Sequence, residues 1–239
     1  MQCRFVACLV ILFCVWGAGV SDVKYAVAEP TVEGGLPHQL QELLSRQNDR
    51  ASDPEFLVRL ADLYLDLGDD DSLPTSKRRD AYEEGARVAR QAIELRESNA
   101  HAHYLYAANL GSATQLKGMM ASALIVQDLQ RHVTRALELD PRHAPALHMM
   151  GMMLEELPWF LGGNADSALI YLRRAVVSDP KYCHARLDLA RAYIKRKDQN
   201  SALQELETIL QQSLSSNASA GDRRHREEAL RLRASLKNS

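Results

Sequence analysis

An all-α chain of stacked helical hairpins is the fold class this sequence predicts, and three observations carry it. Ala and Leu abound while aromatics make up 6% of the 239 residues, a balance that favours helix formers over the aromatic and β-branched residues of strands. No stretch alternates apolar and polar residues at the period of a half-buried strand, whereas apolar residues recur at helical spacing. The same small and large side chains then return along the chain in paired segments, as a repeat protein requires. At 46% hydrophobic and 25% charged residues the chain can build a core and is neither disordered nor membrane-filling in character. Its formal net charge of −2 argues against nucleic acid and against an anionic membrane surface as partners.

Residues 1–28 read as a secretory signal: Arg4 precedes an apolar run over residues 5–20, and Ala26, Val27 and Ala28 offer a small-x-small cleavage site. The expected location is therefore exported, in the periplasm. The alternative is a membrane anchor through residues 5–20, although that run is short for the about 20 residues that a span needs. Phe13 stands before Cys14, where lipid attachment would want a small residue. Cleavage would remove Cys3, Cys8 and Cys14, leaving Cys183 without an intramolecular disulfide partner. A small buried helix residue is the expected role for it.

Residues 29–52 contain a capping helix, since Leu36, Leu40, Leu43 and Leu44 share one helical face. Residues 53–216 hold four repeats, over 53–98, 99–142, 143–182 and 183–216. The clearest starts at Cys183: Leu189, Ala190 and Tyr193 mark its first helix, Ala202, Leu206 and Ile209 its second. This is the spacing of a tetratricopeptide repeat, in which two antiparallel helices cross closely only where small residues meet. Leu147, Met150, Gly151 and Leu154 repeat the first set, Ala168, Leu172 and Ala175 the second, and Pro180 stops further helix. Leu154 and Ala168 stand five residues further apart than their counterparts Tyr193 and Ala202. The surplus predicts an enlarged turn: Pro158 ends the first helix, Gly162 and Gly163 supply backbone angles closed to other residues, and Asn164 or Asp166 caps the second. The two upstream repeats carry long extensions between their helices, around residues 67–80 and 110–124. Residues 217–239 form a polar linker and a C-terminal helix with Ala229, Leu230, Leu232 and Leu236 on one side, expected to pack weakly.

These residues, above all Leu157 and Pro158 followed by Gly162 and Gly163 within a repeat, resemble the TatT family, the tetratricopeptide component of certain periplasmic TRAP transporters. They are distantly similar to the regulator-of-microtubule-dynamics proteins. The TatT resemblance, over roughly residues 50 to 210, implies a non-catalytic helical protein that associates with a periplasmic solute-binding protein, in some members as a homo-oligomer, and offers a hydrophobic cleft.

In a tetratricopeptide stack the first helices line the concave side. Val58 and Asp62, then His101 and Tyr104, then His148, Met152 and Glu155, then His184, Leu187 and Arg191 would line it. Such an apolar strip with a few polar tips suits a partner protein or a small hydrophobic ligand. Trp159 and Phe160 on the enlarged turn either anchor a partner or, the commoner outcome, fold back to plug the gap between repeats. Arg191 either holds a carboxylate or pairs with Asp188 or Asp198. No metal or other cofactor is expected: His101 and His103 lie two apart and His143 and His148 five apart, so neither pair shares a face as i,i+4 residues do. The methionines after His148 read as core or adaptable packing before they read as a soft copper site. No nucleophile, phosphate loop or dinucleotide motif suggests an enzyme. The expected function is protein or small-ligand binding beside a transporter; the alternatives are a general envelope adaptor and a metal-binding protein.

Overall fold

The computed structural model describes residues 36–47, 49–212 and 220–237. Among these the secondary structure is helical, with no strand. The capping helix α1 (Leu36–Ser45) leads into four hairpins: α2 (Pro54–Asp69) with α3 (Thr75–Leu95), α4 (Ala100–Lys117) with α5 (Met119–Leu139), α6 (Ala144–Glu156) with α7 (Ala165–Ser178), and α8 (Cys183–Lys195) with α9 (Gln199–Gln211). A last helix, α10 (Ala220–Lys237), follows. The residues read above as a secretory signal lie outside the described residues, as does the polar linker.

Helix starts are written into the sequence. Asp53 accepts from the backbone N–H groups of Glu55 and Phe56 at 3.1 and 3.3 Å, with Pro54 in the first turn of α2. Asn99, Asn164 and Asp198 cap α4, α7 and α9 in the same way. His143 caps α6 with its imidazole Nδ1, 3.2 Å from the N–H of Ala146. Each such bond satisfies a donor that the helix itself cannot, and losing one costs about 1 kcal/mol.

The core follows the small-residue pattern. Ala61, Ala107, Ala168, Ala190 and Ala202 are fully buried, and Leu147, Leu172, Leu189 and Leu206 fill the spaces around them. Gly151 shows why the crossing points are small, because a Cβ there would lie 2.8 Å from Cγ of Leu172. Truncating a leucine such as Leu172 to Ala would cost about 2 to 5 kcal/mol. Cys183 is buried and its thiol meets Oε1 of Gln212 at 3.2 Å.

The enlarged turn takes a defined shape. Trp159–Leu161 form one turn of 3-10 helix, closed by Gly162 at φ 95° in the left-handed region. Gly163 is required for another reason than free backbone angles: a Cβ there would lie 1.7 Å from the carbonyl oxygen of Leu157. Asn164, rather than Asp166, supplies the cap, accepting from Ser167 N–H at 2.9 Å.

Two expectations need correction. The extensions in the first two hairpins mostly lengthen the helices, leaving only residues 70–74 and Gly118 as connections. A continued helix satisfies every added backbone group, which a long loop would not. The C-terminal helix also packs more firmly than its composition suggested. Ala229 is fully buried and Leu232 and Leu236 are partly buried in a cluster with Leu187, Ala190 and Ile209, whereas Leu230 is exposed. In contacting both α8 and α9, α10 takes the place that the first helix of a fifth hairpin would occupy. At the other end Leu40 of α1 is buried in the first cluster and Leu43 packs against it, while Leu44 remains exposed.

Candidate functional site

The first helices contact one another in series, α2 with α4, α4 with α6 and α6 with α8, and their shared inner face gathers most of the polar side chains singled out above. On α2, Asp62, Asp66 and Asp69 recur at helical spacing and form an acidic stripe. The surrounding protein, and then the charges of Asp62 and Asp69, push the Asp66 carboxyl up to about 6. On α4, His101 stacks on Tyr104 with ring centres 5.7 Å apart, and its Nε2 lies 3.7 Å from Asp62. Its Nδ1 is 3.0 Å from Nε2 of His143. Burial and the neighbouring His101 hold the His143 imidazole down at about 4. Tyr104 is raised well above the usual phenol value by burial, then by Tyr182 and the three aspartates.

A second histidine group joins α6 to α8. His148 is 6% exposed. Its Nδ1 meets the Tyr182 hydroxyl at 3.1 Å and its Nε2 meets Oδ2 of Asp188 at 2.9 Å. His184, one helical turn before Asp188, brings its own Nε2 to the same Oδ2 at 3.4 Å. Arg191 donates to Oδ1 of Asp188 at 2.7 Å and reaches Glu228 of α10 at 3.3 Å. Burial pushes the Asp188 carboxyl up, but the His148 bond, the charges of His148 and His184 and the Arg191 bond outweigh it and hold the group at about 2. Burial, then His148, lowers His184 to about 4.

The row of first helices curls far enough for its end to meet its beginning. His225 of α10 stacks on His184 with ring centres 4.5 Å apart and planes 17° apart. Arg224, its neighbour, pairs with Asp71 and donates to the backbone carbonyl of Asp69, in the turn after α2. A clasp between the fifth position and the first hairpin results.

The inner face is therefore less apolar than the sequence suggested. Leu187 is 1% exposed in the cluster shared with α9 and α10, so it lies in the core. Its position in the repeat would be open only if no helix followed α9. Val58 is likewise buried, and Met152 of α6 packs half-buried against the cluster shared by the third and fourth hairpins. His101, Tyr104 and His184 remain partly open, while His148 is almost closed off. Arg191 takes the pairing with Asp188 and adds Glu228. Trp159 and Phe160 do not fold back to plug a gap: they are 86% and 67% exposed and touch edge to face. Asp188 was missed as a site residue in its own right. The available signal was its i,i+4 spacing from His184, which places both side chains on one face of α8.

A stack of antiparallel helix pairs with small crossing residues and a polar inner face defines the class of tetratricopeptide-repeat proteins. Residues 160–220 match the tetratricopeptide repeat, and the fold superposes on a thermophilic tetratricopeptide protein in Thermus thermophilus with a TM-score of 0.61 at 17% identity, over 82% of this chain and 90% of that one. Residues 26–156 match the family Regulator of microtubule dynamics protein 1-3, and the chain belongs to it. Regulator of microtubule dynamics protein 1 of Bos taurus is 28% identical over 184 residues, 70% of this chain and 58% of the relative. That of Mus musculus is 28% identical over 196 residues, 74% and 63% respectively. The chain thus spans less than two thirds of the length of these relatives. The family is the one named above as the distant likeness.

Proposed function

We propose that this chain is a protein-binding module that holds an Arg- or Lys-bearing segment of a partner against the inner face of its first helices. The observation that carries this reading is the acidic stripe of Asp62, Asp66 and Asp69, exposed on α2, with Asp62 beside the stacked rings of His101 and Tyr104, Asp69 accepting from the Tyr82 hydroxyl, and the chain's own Arg224 paired with Asp71 in the turn that follows. Carboxylates give a cationic segment its orientation, and aromatic rings such as Tyr104 supply a surface for its aliphatic stems and cation–π contact. With Leu187 and Val58 in the core, a small hydrophobic ligand has less to grip than the sequence implied. The test is fluorescence anisotropy with a labelled Arg-bearing helical peptide and its Glu-substituted counterpart. The Arg peptide should bind, weaken with salt and weaken further to the double variant Asp62→Asn, Asp66→Asn. Equal binding of both peptides, or no effect of the double variant, overturns the reading.

The family match supports a second reading, action on microtubules as the name of the relatives states. Co-sedimentation of the whole chain with microtubules tests it, and recovery only in the supernatant removes it. Export through residues 1–28 rests on Arg4, the apolar run after it and the Ala26, Val27 and Ala28 site alone, and association with a periplasmic solute-binding protein on the sequence resemblance to TatT alone. N-terminal sequencing of the mature protein and pull-down from a periplasmic extract are their tests. A general envelope adaptor would instead recover unrelated envelope proteins.

A further inference from the structure

We propose that His148, His184 and Asp188 form a binding site for a late first-row divalent metal ion, zinc in the first instance. One nitrogen of each imidazole and one carboxylate oxygen lie within 4.8 Å of one another, and both imidazole Nε2 atoms meet the same Oδ2 of Asp188. Donors bound to one tetrahedral zinc at bond lengths of about 2.0 to 2.2 Å sit about 3.3 to 3.6 Å apart. The 3.4 Å between His184 and Asp188 already meets this, and the 2.9 Å between His148 and Asp188 requires an opening of a few tenths of an ångström.

The surroundings favour an ion over a chance meeting of side chains. Each donor residue is held by a separate group. The Tyr182 hydroxyl holds Nδ1 of His148, which leaves Nε2 directed at the carboxylate. Arg191 occupies Oδ1 of Asp188, so Oδ2 alone faces the two imidazoles. His225 lies flat on the His184 ring and sets its plane. Groups that orient a ligand from behind in this way typically govern metal affinity by about 10-fold to 100-fold. Glu228 beside Arg191 offsets the guanidinium charge that would otherwise oppose a cation. Two imidazoles and one carboxylate suit zinc, and also cobalt, better than magnesium or calcium, which prefer oxygen alone. His184, whose side chain is 47% exposed, provides the entry side and leaves a position for water. The site stands independently of whether a partner segment docks on the acidic stripe.

Untagged whole chain, freed of metal by chelation and dialysis, would be titrated with Co(II) and followed by its visible absorption. One equivalent should bind with the intense bands of a four- or five-coordinate centre, and Zn(II) should displace it. His148 and Asp188 are buried, so their variants can fail to fold; the deciding variants are therefore His184→Ala, at a half-open position, and Tyr182→Phe. Both should keep the helical circular dichroism of the wild type and weaken Co(II) binding by about tenfold or more. A spectrum that remains that of hydrated Co(II), or binding that His184→Ala weakens by less than this, overturns the site.

Discussion

Two pairs of histidines face the inside of this stack, and they differ in the carboxylate beside them. His101 and His143 bridge α4 to the start of α6 with Asp62 exposed at 3.7 Å, whereas His148 and His184 share Asp188, which is 5% exposed and bonded at 2.9 Å. An open carboxylate is hydrated and screened, so it fixes little; a buried one must be matched by every donor around it. The first pair can therefore rearrange around a ligand at low cost, and the second is a fixed post in the third interface between first helices.

The largest effect should come from removing that post. Asp188→Ala leaves His148 and Arg191 without their shared partner and should lower stability by about 3 to 5 kcal/mol, measured by urea denaturation at neutral pH. A loss below 1 kcal/mol would erase the distinction between the pairs. A change of intermediate size is expected at His143. Its folded value of about 4 lies below the 6.5 of an unfolded histidine, so between these pH values the unfolded chain binds more protons. Stability should fall as the pH drops from 6.5 toward 4 and level off below. Asn is itself a good cap, so His143→Asn should flatten this slope while leaving stability at pH 8 nearly unchanged; an unaltered slope would show that the His143 ring titrates normally. His143→Ala, which removes the cap as well, should cost about 1 kcal/mol even at pH 8. The smallest effect belongs to Asp62→Asn, expected within about 0.5 kcal/mol by the same denaturation. A loss comparable to that at Asp188 would mean that exposure does not separate the two carboxylates.

The hairpins were legible because their determinants are local: a cap such as Asp53, a small residue such as Ala190 or Gly151, and a stop such as Pro180 each act within a turn or two. The turn at residues 157–164 was legible for the same reason. The site was legible only in its addresses. His148 and Asp188 are 40 residues apart in the chain, and nothing in either helix alone announces that α6 will present one to the other. Leu187 failed for a related reason, because its exposure depends on α10, whose sparse apolar residues gave no hint of how firmly they would pack. Trp159 and Phe160 had two readings in the sequence, a partner anchor or a plug between repeats, and their exposure in the structure leaves the first of these open.

The Arg224 clasp changes how such a molecule should breathe. A linear array of repeats, held only by neighbour contacts, frays from both ends independently. Here the terminal helix is tied back to the turn after α2, so loosening either end releases a restraint on the other. Because both side chains of the pair are about half exposed, the tie is worth no more than about 1 kcal/mol, so in amide hydrogen exchange Arg224→Ala should lower the protection of the first and last hairpins together by about that amount.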